Sequence, residues 1–275
     1  MKRKRNYVQV SEVRDDFYLP EECWECIFKF LNEDFKSLSV VSKQFLSITN
    51  RLRFSLTLVL YPNLPFFLRL FQRFTNLTSI DFSRVYCDLN TLLHEISRFP
   101  LNITSLNLSN RSNFPANGLI TFSQNIKTLT SLTCSNINFD SNYHLFLIAH
   151  CFPLLQILHL SNMECYILID SFIEFEFPKL EMLKLSDTRV DDEQLYIIAK
   201  ACPRLLQLSL NDCHEVTQQG VKRVSENCKQ LREIQILPSK VLSRPSLTDI
   251  REPRWSNIEN ELFSNYIEKF PFAFI

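Results

Sequence analysis

The first residues whose spacing suits chemistry are Cys23 and Cys26, in the run Cys23-Trp24-Glu25-Cys26. Such a pair supplies half of a zinc site or a redox couple, and both uses depend on further ligands or context. No second Cys or His pair at ligand spacing accompanies it, and it falls inside an amphipathic helical pattern, so no metal is expected. The five histidines, His94, His144, His150, His159 and His214, lie without a nucleophile at motif spacing. Glycine occurs only at Gly118 and Gly220, too few for a Gly-rich phosphate loop. The chain reads as non-catalytic, with no cofactor.

What the sequence does repeat is a strand-turn-helix unit, clearest in Leu205–Cys228, LLQLSLNDCHEVTQQGVKRVSENC. Leu205, Leu208 and Leu210 have the spacing of a strand with its leucines turned inward, and Val221, Val224 and Cys228 recur at helical spacing. The leading residue of each copy is Leu77, Ile103, Leu129, Leu155, Leu180, Leu205 and Leu231, with steps of 26, 26, 26, 25, 25 and 26. Positions three and five further on are again mostly apolar, as in Ile80 and Phe82, Leu106 and Leu108, or Leu183 and Leu185. Residues 54–60, FSLTLVL, read as an extra strand ahead of the first copy.

A period in the twenties with L-x-x-L-x-L resembles the leucine-rich repeat, in which each unit buries its apolar edge against its neighbours. The helical halves, with Cys202 and Cys228 in register, resemble the cysteine-containing plant and fungal subclass. These two thiols share a ladder position with Phe74, Ile126, Phe152 and Phe177, which makes them packing residues. The expected fold class is α/β: an N-terminal three-helix module followed by a curved solenoid of about seven repeats.

Side chains between the buried leucines project from the other face of the sheet. There the first three copies carry Ser79, Asp81, Ser83, Ser105, Asn107, Ser109, Ser131, Thr133 and Ser135. Copies four to six place Ile157, His159, Met182, Lys184 and Gln207 on this bland surface. Interface energy concentrates in large side chains that can be desolvated, so these five are the candidate substrate-binding residues.

Upstream, Leu19-Pro20 opens a helical pattern with Cys23, Cys26, Ile27, Phe30 and Leu31 on one face, leaving Trp24 and Phe28 off that stripe. Two shorter helical patterns follow, through Phe35, Leu38 and Val41, then Ser42, Phe45 and Leu46. The stretch LPEECWECIFKFLNEDFKSLSVVSKQFLSI, Leu19 to Ile48, resembles an F-box. Its L-P start is Leu19-Pro20, its I-x-x-x-L helix Ile27 and Leu31, and its V-S-K-x-aromatic stretch Val41, Ser42, Lys43 and Phe45. Phe45 stands where the family most often has Trp. The resemblance implies that these eight residues bind a Skp-type adaptor and, through it, a cullin. An F-box followed by leucine-rich repeats is similar to the plant F-box/leucine-rich-repeat class.

That class implies a substrate-recruiting subunit of a Skp-cullin-F-box ubiquitin ligase, its repeats holding a protein substrate. A hormone-like small-ligand co-receptor of the same architecture and a plain repeat scaffold with a non-functional F-box are the alternatives. The expected domains are a disordered basic tail at 1–15, the F-box at 16–53, the solenoid at 54–237 and a C-terminal cap or degenerate repeat at 238–275.

Thirty basic and thirty acidic side chains cancel, which removes the electrostatic footprint of nucleic-acid binding. Lys2, Arg3, Lys4 and Arg5 form a run that reads as a nuclear address or a solvated tail. No apolar segment approaches the roughly 20 residues of a membrane span. Nine cysteines at scattered apolar positions fit a reducing compartment, so the expected location is nucleus, cytoplasm or both.

Overall fold

The computed structural model describes residues 19–31, 35–60, 64–137, 143–163 and 175–236. The basic run at Lys2–Arg5 and the segment 238–275 lie outside these residues. The chain divides into two compact units between Arg53 and Phe54.

The first unit contains helices α1 (Glu21–Phe30), α2 (Phe35–Leu38) and α3 (Lys43–Arg51). Helix α1 starts directly after Pro20, with Glu21 and Glu22 in its first turn and Lys29 in its last, the charge order that the helix dipole favours. Ser42 caps α3, its Oγ accepting the Phe45 N–H at 3.1 Å. Phe28, Ile48 and Leu52 form the buried centre, with Trp24, Phe35, Leu38 and Phe45 packed around it. Phe45 meets Phe28 edge-on at 4.8 Å between centroids and Trp24 at 4.7 Å. Arg51 ties α3 back to α1 through Glu21 at 2.8 Å and Glu25 at 2.7 Å.

Helix α1 carries apolar side chains on two faces, and the packing buries one of them. The stripe of Cys23, Cys26, Ile27, Phe30 and Leu31 is the exposed face of α1, and the off-stripe Trp24 and Phe28 point inward. The choice is made by α3, whose Phe45 and Ile48 offer a complementary aromatic and aliphatic surface only to Trp24 and Phe28.

The second unit is a parallel sheet of eight strands in chain order: β1 (Ser55–Leu60), β2 (Ser79–Val85), β3 (Ser105–Asn107), β4 (Ser131–Ser135), β5 (Ile157–Met163), β6 (Met182–Thr188), β7 (Gln207–Ser209) and β8 (Glu233–Gln235). Parallel neighbours need a crossover, and among the described residues helices supply six of the seven: α4 (Leu64–Arg73), α5 (Leu89–Ile96), α6 (Ala116–Asn125), α7 (Tyr143–Cys151), α8 (Asp192–Ala201) and α9 (Gln218–Asn227), the connection from β5 to β6 lying largely outside those residues. Local signals start several of them. Asp88 accepts from Asn90 N and Thr91 N at the head of α5, Asp191 forms a capping box with Gln194 at α8, and Thr217 caps α9. One continuous core runs from Leu58 to Cys228 and takes in Leu77, Ile103, Leu129, Leu155, Leu180 and Leu205.

Strand ends turn through left-handed residues at Asn110, Asn136, Asn162, Asp187 and Asp212, with φ between 48° and 63°. Asn and Asp tolerate that region better than other side chains, which explains their recurrence in a chain with two glycines. The amides also chain along the stack, Asn136 Nδ2 donating to Asn110 Oδ1 at 2.7 Å and Asn162 Nδ2 to Asn136 Oδ1 at 2.5 Å. Gly118 has a different cause: a Cβ there would stand 2.7 Å from the Asn90 Cα, so α5 and α6 could not approach as they do.

Cys202 and Cys228 are both buried, and burial raises both thiols above their ordinary pKa. The Cys228 Sγ donates weakly to the carbonyls of Ala199 at 3.5 Å and Cys202 at 3.9 Å, groups at the open end of α8 in the preceding repeat. Cys228→Ala should therefore cost about 1–2 kcal/mol in denaturant unfolding, from lost packing and these contacts. The wild-type midpoint should be the same with and without reductant; a reductant-dependent midpoint would mean that the thiols serve redox chemistry.

Candidate functional site

Two surfaces gather the residues singled out from sequence. On the helical unit, Ile27 is 40% exposed, Leu31 48%, Val41 65%, Phe30 85% and Val40 82%. Pro20, Lys43, Cys23 and Cys26 are exposed as well, and Leu19 is half-buried. Ser42 and Phe45 are used differently, the first as the α3 cap and the second inside the aromatic core. These apolar side chains in water are not left over from a failed core, because Phe28, Ile48 and Leu52 already close one. Exposed apolar residues clustered on so small a unit are a feature of interaction surfaces.

On the sheet, register assembles the other group. Ser79, Ser105, Ser131, Ile157, Met182, Gln207 and Glu233 form one row across the strands, and Asp81, Asn107, Thr133, His159, Lys184, Ser209 and Gln235 form the next. His159 and Lys184 are thus direct neighbours, as are Ile157 and Met182. A third row is hydroxylic, with Ser161 Oγ donating to Ser135 Oγ at 2.6 Å. Ile157 is 37% exposed, and Met182, His159, Lys184 and Gln207 are half-buried. Burial, and then the Lys184 charge, hold the His159 imidazole below its ordinary pKa.

Sequence reasoning missed Glu233, which accepts a hydrogen bond from Gln207 Nε2 at 3.1 Å. The signal was available, since Glu233 follows Leu231 by two residues as Gln207 follows Leu205. A separate cleft of about 320 Å³ opens between α6 and α7, lined by Lys127, Tyr143, Phe146 and His150 among others.

A comparison with protein-family models adds a likeness over part of the repeats. Residues 123–249 match the model described as FBD-associated F-box protein At5g56370, LRR repeats. The repeats of this chain are thus similar to those of an F-box protein, over a stretch of that length. The matched leucine-rich repeats include β4 to β8, hence Ile157, His159, Met182, Lys184, Gln207 and Glu233. Among solved structures, the leucine-rich repeat-containing protein LegL7 from Legionella pneumophila is similar at 13% identity over 88% of this chain and 95% of its own, with a TM-score of 0.37.

Proposed function

We propose that the chain is the substrate-recruiting, non-catalytic subunit of a Skp-cullin-F-box ubiquitin ligase, working in the nucleus, the cytoplasm or both. The helical unit is the F-box. Its outer face, Ile27, Leu31 and Val41 with Pro20 and Lys43, docks a Skp-type adaptor, while Ser42 and Phe45 hold that face in shape. The carrying observation is that this unit completes its own core and still presents Ile27, Phe30, Leu31, Val40 and Val41 to solvent. The match of the repeats to those of an F-box protein supports the same reading. The outward sheet face holds the protein substrate through Ile157, His159, Met182, Lys184 and Gln207.

Purified full-length chain should be retained by an immobilised Skp-type adaptor and by no unrelated acidic protein of similar size. Passage through the column without retention would contradict the F-box assignment.

A further inference from the structure

The two rows that meet on β5 and β6 differ in chemistry. In one, Lys184 makes no ion pair and His159 no hydrogen bond among the described residues, although both are half-buried. In the other, Ile157 and Met182 form an apolar pair beside them. Neighbouring strands lie about 4.8 Å apart and alternate residues along a strand about 6.6 Å apart, so the four side chains outline a small cationic and apolar quadrilateral. Its surroundings are hydroxyls and amides. Thr133 flanks His159 on β4, Ser209 flanks Lys184 on β7, and Glu233 is engaged by Gln207.

Resting on the substrate-receptor reading above, we propose that this quadrilateral recognises an extended protein segment carrying a carboxylate side chain and a bulky apolar side chain two residues apart. An extended chain lying along the strands presents alternate side chains on one face at about 6.6 Å, the spacing between the two rows. The carboxylate bridges Lys184 Nζ and the His159 ring, and the apolar side chain lies over Ile157 and Met182. The charge of the site selects this partner. One permanent cation with one titratable ring matches a single carboxylate, and charge-assisted hydrogen bonds at a half-buried position are stronger than those in open water.

The pairing sets a pH dependence. His159 is neutral near pH 7.5, and the charged group facing it from the adjacent strands is Lys184, since β4 offers only Thr133. A bound carboxylate favours the imidazolium and raises the His159 pKa in the complex. Affinity therefore increases as pH falls from 7.5 toward 5.5, while a peptide carboxylate stays ionised down to about pH 4.

The test pans a random decapeptide display library against the full-length chain and measures the enriched peptide by fluorescence polarisation. Enriched peptides should carry Asp or Glu two positions from Leu, Ile, Met or Phe. Exchanging the peptide's Asp for Asn, or Lys184→Glu in the protein, should weaken binding at least tenfold. His159→Gln should flatten the pH response. No enrichment, an enriched motif without an acid, an unaffected Lys184→Glu variant, or binding only when a phosphoserine replaces the acid would each overturn the proposal. Adaptor retention, measured on the same preparations, separates the two readings: its loss with the peptide motif intact would refute the ligase assignment alone.

Discussion

Phe122→Ala should destabilise the full-length chain by about 3–5 kcal/mol, read as a shift in the urea unfolding midpoint of the repeat unit. Phe122 lies on α6 with no exposed surface and packs against Phe152 at 6.4 Å between ring centroids. Its removal leaves a void in the middle of a core that runs unbroken from β1 to α9. In a stacked array each unit is stabilised by its neighbours, so the damage spreads to the repeats on either side. Phe30→Ala is the matched control. Phe30 is an aromatic residue of the same size but 85% exposed, and its loss should leave the midpoint within about 0.5 kcal/mol of wild type. Equal effects of the two substitutions would contradict the packing described.

A second large effect should fall on adaptor binding. Changing Ile27, Leu31 and Val41 together to Lys should weaken capture by a Skp-type adaptor at least a hundredfold, about 2.8 kcal/mol. Three exposed apolar side chains would be replaced by ammonium groups that must be desolvated on docking. Lysine is preferred to an acid because Ile27 and Leu31 stand near the C-terminal end of α1, where the helix dipole favours positive charge. None of the three belongs to the closed core of Phe28, Ile48 and Leu52, so the unfolding midpoint should not move. Retained capture would place the docking face elsewhere, and a lowered midpoint would mean that these residues serve the fold.

The repeats were legible because the constraint on them is simple. A strand turns alternate residues to one side, and a leading Leu or Ile every 25 or 26 residues repeats that constraint without a slip. The same regularity places Ile157 beside Met182 and His159 beside Lys184, and the strand pairing has them there. The extra strand at residues 54–60 was readable from its alternation, and Ser55–Leu60 pairs with β2.

The inner face of α1 was not legible, for a physical reason. That helix carries two apolar stripes, and local periodicity cannot say which one a neighbour will cover. Phe45 and Ile48, distant in sequence, settle it in favour of Trp24 and Phe28. The left-handed turns were also missed, although Asn or Asp recurred seven residues after the leading positions from Ile103 to Leu205. Asn and Asp are common in any loop, and the role of these shows only in the backbone angles and in the amide chain from Asn110 to Asn162.

If this chain joins a ligase through its helical unit, as proposed, the mass of the complex it forms shows it most directly. Full-length chain, a Skp-type adaptor and the adaptor-binding portion of a cullin would be co-expressed, purified and sized by light scattering. A single species with one copy of each is the predicted result. A chain that elutes alone, or an adaptor-bound chain that excludes the cullin, would contradict it.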